Sequence, residues 1–196
     1  MPVDRDIRIA IIGGGLAGFS VAIMLKKSGF TNVTVYERDL CLSQRRQGYG
    51  LTLLQGITAL KTLGQTCFER VKSIDTPSRS HYIFDNSGKI INFFGTIFWQ
   101  REEPVITVKS NKKYNLHVSR TNLRNIIYDE CLKTEASVEW NHRLRSICGS
   151  KVEFTNGETV EADFIIGCDG INSQVRKFKY RPEEELPLNY LGIYLV

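Results

Sequence analysis

The sequence predicts an α/β fold built on a parallel sheet, with part of an antiparallel β-sheet inserted into it. Three observations carry this. An apolar run, Ile7–Ile12, passes straight into Gly13-x-Gly15-x-x-Gly18, then into a helix-like segment and a second β-rich run, Val33–Tyr36. A late apolar run, Phe164-Ile165-Ile166, ends in the turn Gly167-Cys168-Asp169-Gly170. Between them, β-rich and aromatic runs flank Asp85-Asn-Ser-Gly88, a hairpin signal foreign to a βαβ unit.

Each element follows in order. Leu16, Phe19, Ala22, Ile23, Met24 and Leu25 surround most of a helix ending near Lys27, with Gly29 placed to cap it. With the two strands this makes a right-handed βαβ opening. Residues 40–50 read as a polar, glycine-containing loop, and Leu51–Leu63 as a strand end followed by a helix that stops at Gly64. His81–Phe84 and Ile90–Phe94 form the hairpin, and Val105–Val108 adds a third strand. Thr121–Leu132 carries Leu123, Ile126, Ile127 and Cys131 at helical spacing, with Ser119 or Thr121 as N-cap. Asn156-Gly157 signals a type I′ hairpin between Val152–Thr155 and Glu158–Val160. The run ending at Ile166 has the apolar character of a buried parallel strand. Asn172–Phe178 reads as a helix, residues 181–187 as an exposed connector, and Tyr190–Val196 as a strand.

With 196 residues the chain can bury one sizeable core and part of a second. Its net charge of +5 comes from basic residues scattered among acids. The densest group, Lys109, Lys112 and Lys113, lacks the aromatic interleaving of an RNA-binding surface and reads as a solvated loop, so no nucleic-acid partner is expected. No apolar run approaches a bilayer span, and the first strand follows the N-terminus too closely for a cleaved leader, so the expected location is cytoplasmic or an organelle matrix. Five widely separated cysteines, without a C-x-x-C pair or a histidine at zinc-ligand spacing, give no metal site. Cys148 and Cys168 read as buried thiols, and His81, His117 and His142 as strand or loop residues rather than catalytic bases.

The glycine motif is a dinucleotide-binding signature in its proper context. Gly13 permits the tight turn, Gly15 lets the backbone approach a pyrophosphate, and Gly18 lets the helix pack closely on the strand. The N-terminus of that helix, with Leu16 and Ala17 in its first turn, offers N–H donors and positive dipole to the phosphates. Glu37, 19 residues after Gly18, is placed to accept from a ribose hydroxyl and to repel a 2′-phosphate, which leaves FAD or NAD. Arg38 lies over an adenine or neutralises Glu37, and a solvated surface arginine explains it equally well.

Three separated stretches together resemble the single-component FAD-dependent aromatic hydroxylases of the para-hydroxybenzoate hydroxylase type. They are Gly13–Gly18 with Glu37-Arg38, the Asp-Gly motif within Ala162–Arg176, and Val118-Ser-Arg120-Thr-Asn-Leu123, which is similar to the family's Arg-x-x-Leu. Arg46-Gln-Gly48-Tyr-Gly50 also resembles the loop beside the flavin. The resemblance implies a Rossmann-like FAD/NAD(P)-binding domain formed by 1–75 and 115–182, with 76–114 and 183–196 as a fragment of the inserted substrate-side β-sheet. It implies FAD with its pyrophosphate at Gly15 and its ribose at Glu37, contacts from Arg120 and from Arg46 or its neighbour Arg45, and Asp169 near the pyrophosphate. It further implies NAD(P)H as electron donor, O₂ as co-substrate, and hydroxylation of an aromatic or related small molecule through a flavin C4a-hydroperoxide. No catalytic side chain is identified. Family members run to about two domain lengths, so the chain is expected to be the N-terminal part of such an enzyme. The alternatives are a non-catalytic flavin- or nucleotide-binding module and an NAD-dependent dehydrogenase, though the latter explains neither Arg120 nor Asp169-Gly170.

Overall fold

The computed structural model describes residues 3–44, 49–76, 80–95 and 116–179. Their elements, in chain order, are β1 (Ile9–Ile12), α1 (Leu16–Lys27), β2 (Val33–Tyr36), β3 (Gly50–Leu53), α2 (Gly56–Leu63), α3 (Gln65–Ser73), β4 (Ser80–Phe84), β5 (Ile90–Gly95), β6 (Leu116–Ser119), α4 (Arg120–Leu132), β7 (Ser137–Glu139), β8 (Leu144–Cys148), β9 (Lys151–Phe154), β10 (Thr159–Glu161), β11 (Phe164–Gly167) and α5 (Gln174–Lys179). The chain divides into two compact units, residues 1–46 with 124–196 and residues 47–123.

The first unit is the α/β one. Its parallel sheet has the order β11-β1-β2-β7, with Ile11 opposite both Ile166 and Val35. All four residues of β1 are buried, as a central strand requires. Strand alternation divides them between two faces. Ala10 and Ile12 pack with Leu144 of β8, Val152 and Phe154 of β9, and Ala162 in the link from β10 to β11. The crossover helix α1 buries Gly18, Phe19, Ala22 and Ile23. It ends in a Schellman motif: Gly29, at φ +88°, donates to Lys26 O at 2.9 Å, and Phe30 N–H reaches Leu25 O at 3.1 Å.

The second unit pairs β3 with β6 antiparallel, Leu51 opposite Val118. Among its described residues, Leu60, Leu63, Cys67, Val71, Leu116, Val118 and Leu123 are buried. Strands β4 and β5 form the expected hairpin, and Asp85 closes its turn by accepting from Ser87 and Lys89 N–H, both at 2.9 Å.

Several expectations are corrected. A type I′ turn needs positive φ at both central residues, yet in the β9–β10 hairpin only Gly157 has it, at +92°. Asn156 instead uses its side chain to accept from Glu158 N–H at 3.0 Å, making an Asx turn. Strand β11 forms and pairs parallel with β1, but it edges the described sheet and Phe164 is 58 % exposed rather than buried. The buried thiols are Cys67 and Cys131; Cys148 is exposed and Cys168 half-buried. Helices α4 and α5 begin at Arg120 and Gln174, shifted slightly from the expected bounds. The strands expected at 105–108 and 190–196, and the connector at 181–187, lie outside the described residues.

Candidate functional site

Gly13 follows β1 directly. Its N–H donates to Tyr36 O at 2.8 Å, while Cys168 N–H donates to Ile12 O at 2.7 Å, so the carboxyl ends of β1, β2 and β11 meet at one point. The chain leaves β1 for β2 on one side and β11 lies on the other, which makes this the place where strand order reverses. Open parallel sheets hold ligands at such points.

The three motif glycines have different reasons to be glycine. Gly13 has φ +109°, and a Cβ there would drive into the Cys168 carbonyl and stand 2.9 Å from Asp169 Cα. A Cβ on Gly18 would collide with the Gly13 carbonyl oxygen, so only glycine lets α1 start this close to β1. Gly15 meets no protein atom within 4 Å of its Cβ position and has an ordinary φ of −89°. The protein itself does not require glycine at Gly15; the open space beside its backbone suits a ligand. Gly15 is also the N-cap of α1 and supplies no side-chain cap. The first-turn N–H groups, of Leu16, Ala17 and Gly18, therefore have no acceptor within the helix, and the positive end of its dipole faces the same opening. This cradle has the chemistry of a phosphate or pyrophosphate site.

Glu37 follows β2 and is buried. Its Oε2 accepts from Gly14 N–H at 2.6 Å and its Oε1 from Asp39 N–H at 3.0 Å. Its backbone is pinned as well, donating to Glu139 O and accepting from His142 N–H, both at 2.8 Å. Each carboxylate oxygen has a second lone pair, so Glu37 can hold the loop and still accept a ribose hydroxyl. Two residues at this place escaped the sequence reading. Gly14 leaves room for Glu37 Cβ and Phe19 Cζ, each 3.0 Å from where its own Cβ would stand. Arg124, buried on α4, donates from Nε to Gly14 O at 2.9 Å.

The other expected residues are placed as follows. Asp169 stands beside Gly13 through its backbone, and its carboxylate accepts from Ser173 Oγ and Gln174 N–H, both at 2.6 Å, and from Val175 N–H at 3.3 Å. Asp169 thus holds the first two N–H groups of α5, whose N-cap, Ser173, accepts from Arg176 N–H at 3.0 Å. Arg38 is exposed. Arg120 opens α4 in the second unit, where its N–H donates to Tyr49 O at 3.1 Å and its guanidinium lies 5.7 Å from the Tyr49 ring centroid. Arg45, Arg46 and Gly48 lie outside the described residues. The structure thus gathers Gly13, Gly15, Leu16, Ala17, Gly18, Glu37 and Asp169 in one unit. The half-buried Cys168 thiol behind the loop is pushed up by burial and by the Asp169 charge.

Over 95% of its length the chain is 25% identical to kynurenine 3-monooxygenase of Saccharomyces cerevisiae, covering 43% of that protein. Over 86% of its length it is 31% identical to the FAD-dependent monooxygenase nscC of Neosartorya fischeri, covering 41% of it. Its fold matches the tetrameric form of 2-methyl-3-hydroxypyridine-5-carboxylic acid oxygenase with a TM-score of 0.70 at 21% identity, over 90% of this chain and 43% of that one. The chain spans about two fifths of the length of these relatives. Residues 6–185 match the family described as FAD binding domain, and the cradle at Gly15 with the acceptor at Glu37 fits that cofactor: this chain belongs to the FAD binding domain family.

Proposed function

We propose that this chain forms the FAD-holding part of a flavin-dependent monooxygenase, which uses NAD(P)H and O₂ to hydroxylate an aromatic or related small molecule. The observation that carries the reading is the open, glycine-lined N-terminus of α1 set against the buried carboxylate of Glu37. Its relatives' names support the reaction class. FAD, when bound, supplies the redox and oxygen-transfer chemistry.

The chain's own residues bind and orient. Gly13, Gly15, Leu16, Ala17 and Gly18 receive the pyrophosphate, and Glu37 accepts from the adenosine ribose. Arg38, Arg46, Gly48 and Arg120 are proposed as further cofactor contacts. Guanidinium groups suit that task because they stay charged and donate in a fixed fork. Asp169 acts through its backbone beside Gly13 and by anchoring α5. In this reading 1–75 and 115–182 form the FAD domain, and 76–114 with 183–196 belong to the substrate-side sheet.

The test is an absorbance spectrum of the purified chain after incubation with FAD and desalting, followed by NADH and NADPH oxidation. Retained flavin with nucleotide oxidation is expected for a working redox site. Retained flavin without oxidation assigns the chain to cofactor binding alone. Absence of flavin, with NAD binding instead, returns the dehydrogenase reading.

A further inference from the structure

Arg124 is a charged side chain only 7 % exposed, on a helix whose sequence gave no reason to bury it. Its guanidinium reaches three residues in two segments far from it in the chain. Nε donates to the carbonyl of Gly14 at 2.9 Å, Nη1 donates to the carbonyl of Leu42 at 3.2 Å, and Nη2 stands 3.9 Å from Glu37 Oε2. Phe19 and Trp140 flank it, with ring centroids 5.8 and 5.9 Å from Cζ. Removing such a charge from water is costly unless the site is built around it. Here both the phosphate loop and the segment after β2 are built around it.

We infer that Arg124 is a positioning residue for the nucleotide site: it clamps the Gly14 peptide, the Glu37 carboxylate and the Leu42 turn in the arrangement that receives the cofactor, without touching the cofactor. This rests on the FAD reading above for its functional consequence, though the clamp itself does not. Gly14 is held from both sides, its N–H by Glu37 and its carbonyl by Arg124. A planar fork, with donors on three nitrogens, spans carbonyls set apart in two directions while keeping its charge beside a carboxylate, whereas an ammonium offers its donors from a single point. Flanking rings hold the fork in place.

The test uses Arg124→Met, which fills the space between Phe19 and Trp140 without donors, Arg124→Lys, which keeps the charge, and Glu37→Gln. The first readout needs no cofactor: amide hydrogen exchange at Gly14 and Asp39, whose N–H groups both bond Glu37. Exchange at both should accelerate in Arg124→Met and Arg124→Lys while Ile11, in the central strand, keeps its protection. The second readout is FAD affinity by flavin fluorescence. Arg124→Met should weaken it about tenfold, as loss of a charged hydrogen bond implies. In the Glu37→Gln background the same change should cost much less, because both residues act through one arrangement. Unchanged exchange at Gly14 overturns the clamp, and so do fully multiplicative losses in the double variant. If the unaltered chain takes up no FAD, the functional reading fails, and exchange at Gly14 alone decides for or against the clamp.

Discussion

Gly15 and Gly18 sit three residues apart in one motif, and substitution should separate their roles. Gly15→Ala adds a methyl group to open space at a permitted φ, so thermal stability should hold while FAD affinity falls about tenfold or more. Gly18→Ala drives a methyl group into the Gly13 carbonyl, so it should destabilise the fold by about 1–3 kcal/mol as well as weaken FAD. Melting temperature and flavin titration of the two variants check this, and equal losses of stability would contradict it. Such roles are legible because glycine at fixed spacing has few physical explanations. Gly14 and Arg124 were not legible for the opposite reason. A third glycine inside Gly-x-Gly falls at a position the motif leaves blank, and an arginine one turn after Arg120 has the spacing of an ordinary solvated helix face. Their roles come from Glu37, Phe19 and Trp140, which only folding brings near.

At the level of elements, the parallel pairing of β11 with β1 is fastened at its start by a polar clasp. Arg8 N–H and Nε donate to Asp163 Oδ2 at 2.8 and 3.0 Å, Nη2 donates to Oδ1 at 2.8 Å, and Nη1 reaches Glu161 at 2.9 Å. These bonds from Arg8 hold the Asp163 carboxyl down at about 2, against an ordinary value of 3.8. A lowered folded value means that the unfolded chain takes up the proton first. The clasp therefore contributes fully above about pH 4, and its contribution is lost as pH falls through 2. Thermal unfolding across this range should show a steeper acid loss in the unaltered chain than in Asp163→Asn, and added salt should shrink the difference because the pair is half exposed. Identical acid profiles would exclude the clasp as a stabilising contact. Strands β1 and β2 and helix α1 were legible because dense apolar periodicity is bounded by glycine. Helix α3 and strand β7 were not: α3 buries only Cys67 and Val71, one turn apart, and β7 has three residues whose place beside β2 is set by partner strands rather than by their own pattern.

Across the whole molecule, the five cysteines report on both cores and on the site. Sequence context overstated the burial of Cys148 and Cys168 because a thiol among apolar neighbours reads as buried, whereas burial depends on what packs against the strand. Cys148 ends β8 in the open, while Cys67 and Cys131, on helices with mixed neighbours, are fully enclosed. Reactivity follows the thiolate and its access. Cys41 is exposed, and its thiol is drawn below the ordinary value by hydrogen bonding with Ser43. Burial pushes Cys131 up to about 11. Alkylation near neutral pH, followed by mass spectrometry, should therefore mark Cys41 first and Cys148 next. Cys67 and Cys131 should react only in denaturant. Cys168 should react slowly, being half-buried with a raised thiol beside Gly18, and FAD should slow it further by locking the loop it supports. Rapid marking of Cys67 would contradict the packing of the second unit, and of Cys131 that of the first. Protection of Cys168 by FAD, with Cys148 unaffected, would tie the cofactor to the carboxyl ends of β1 and β11 rather than to the surface at large.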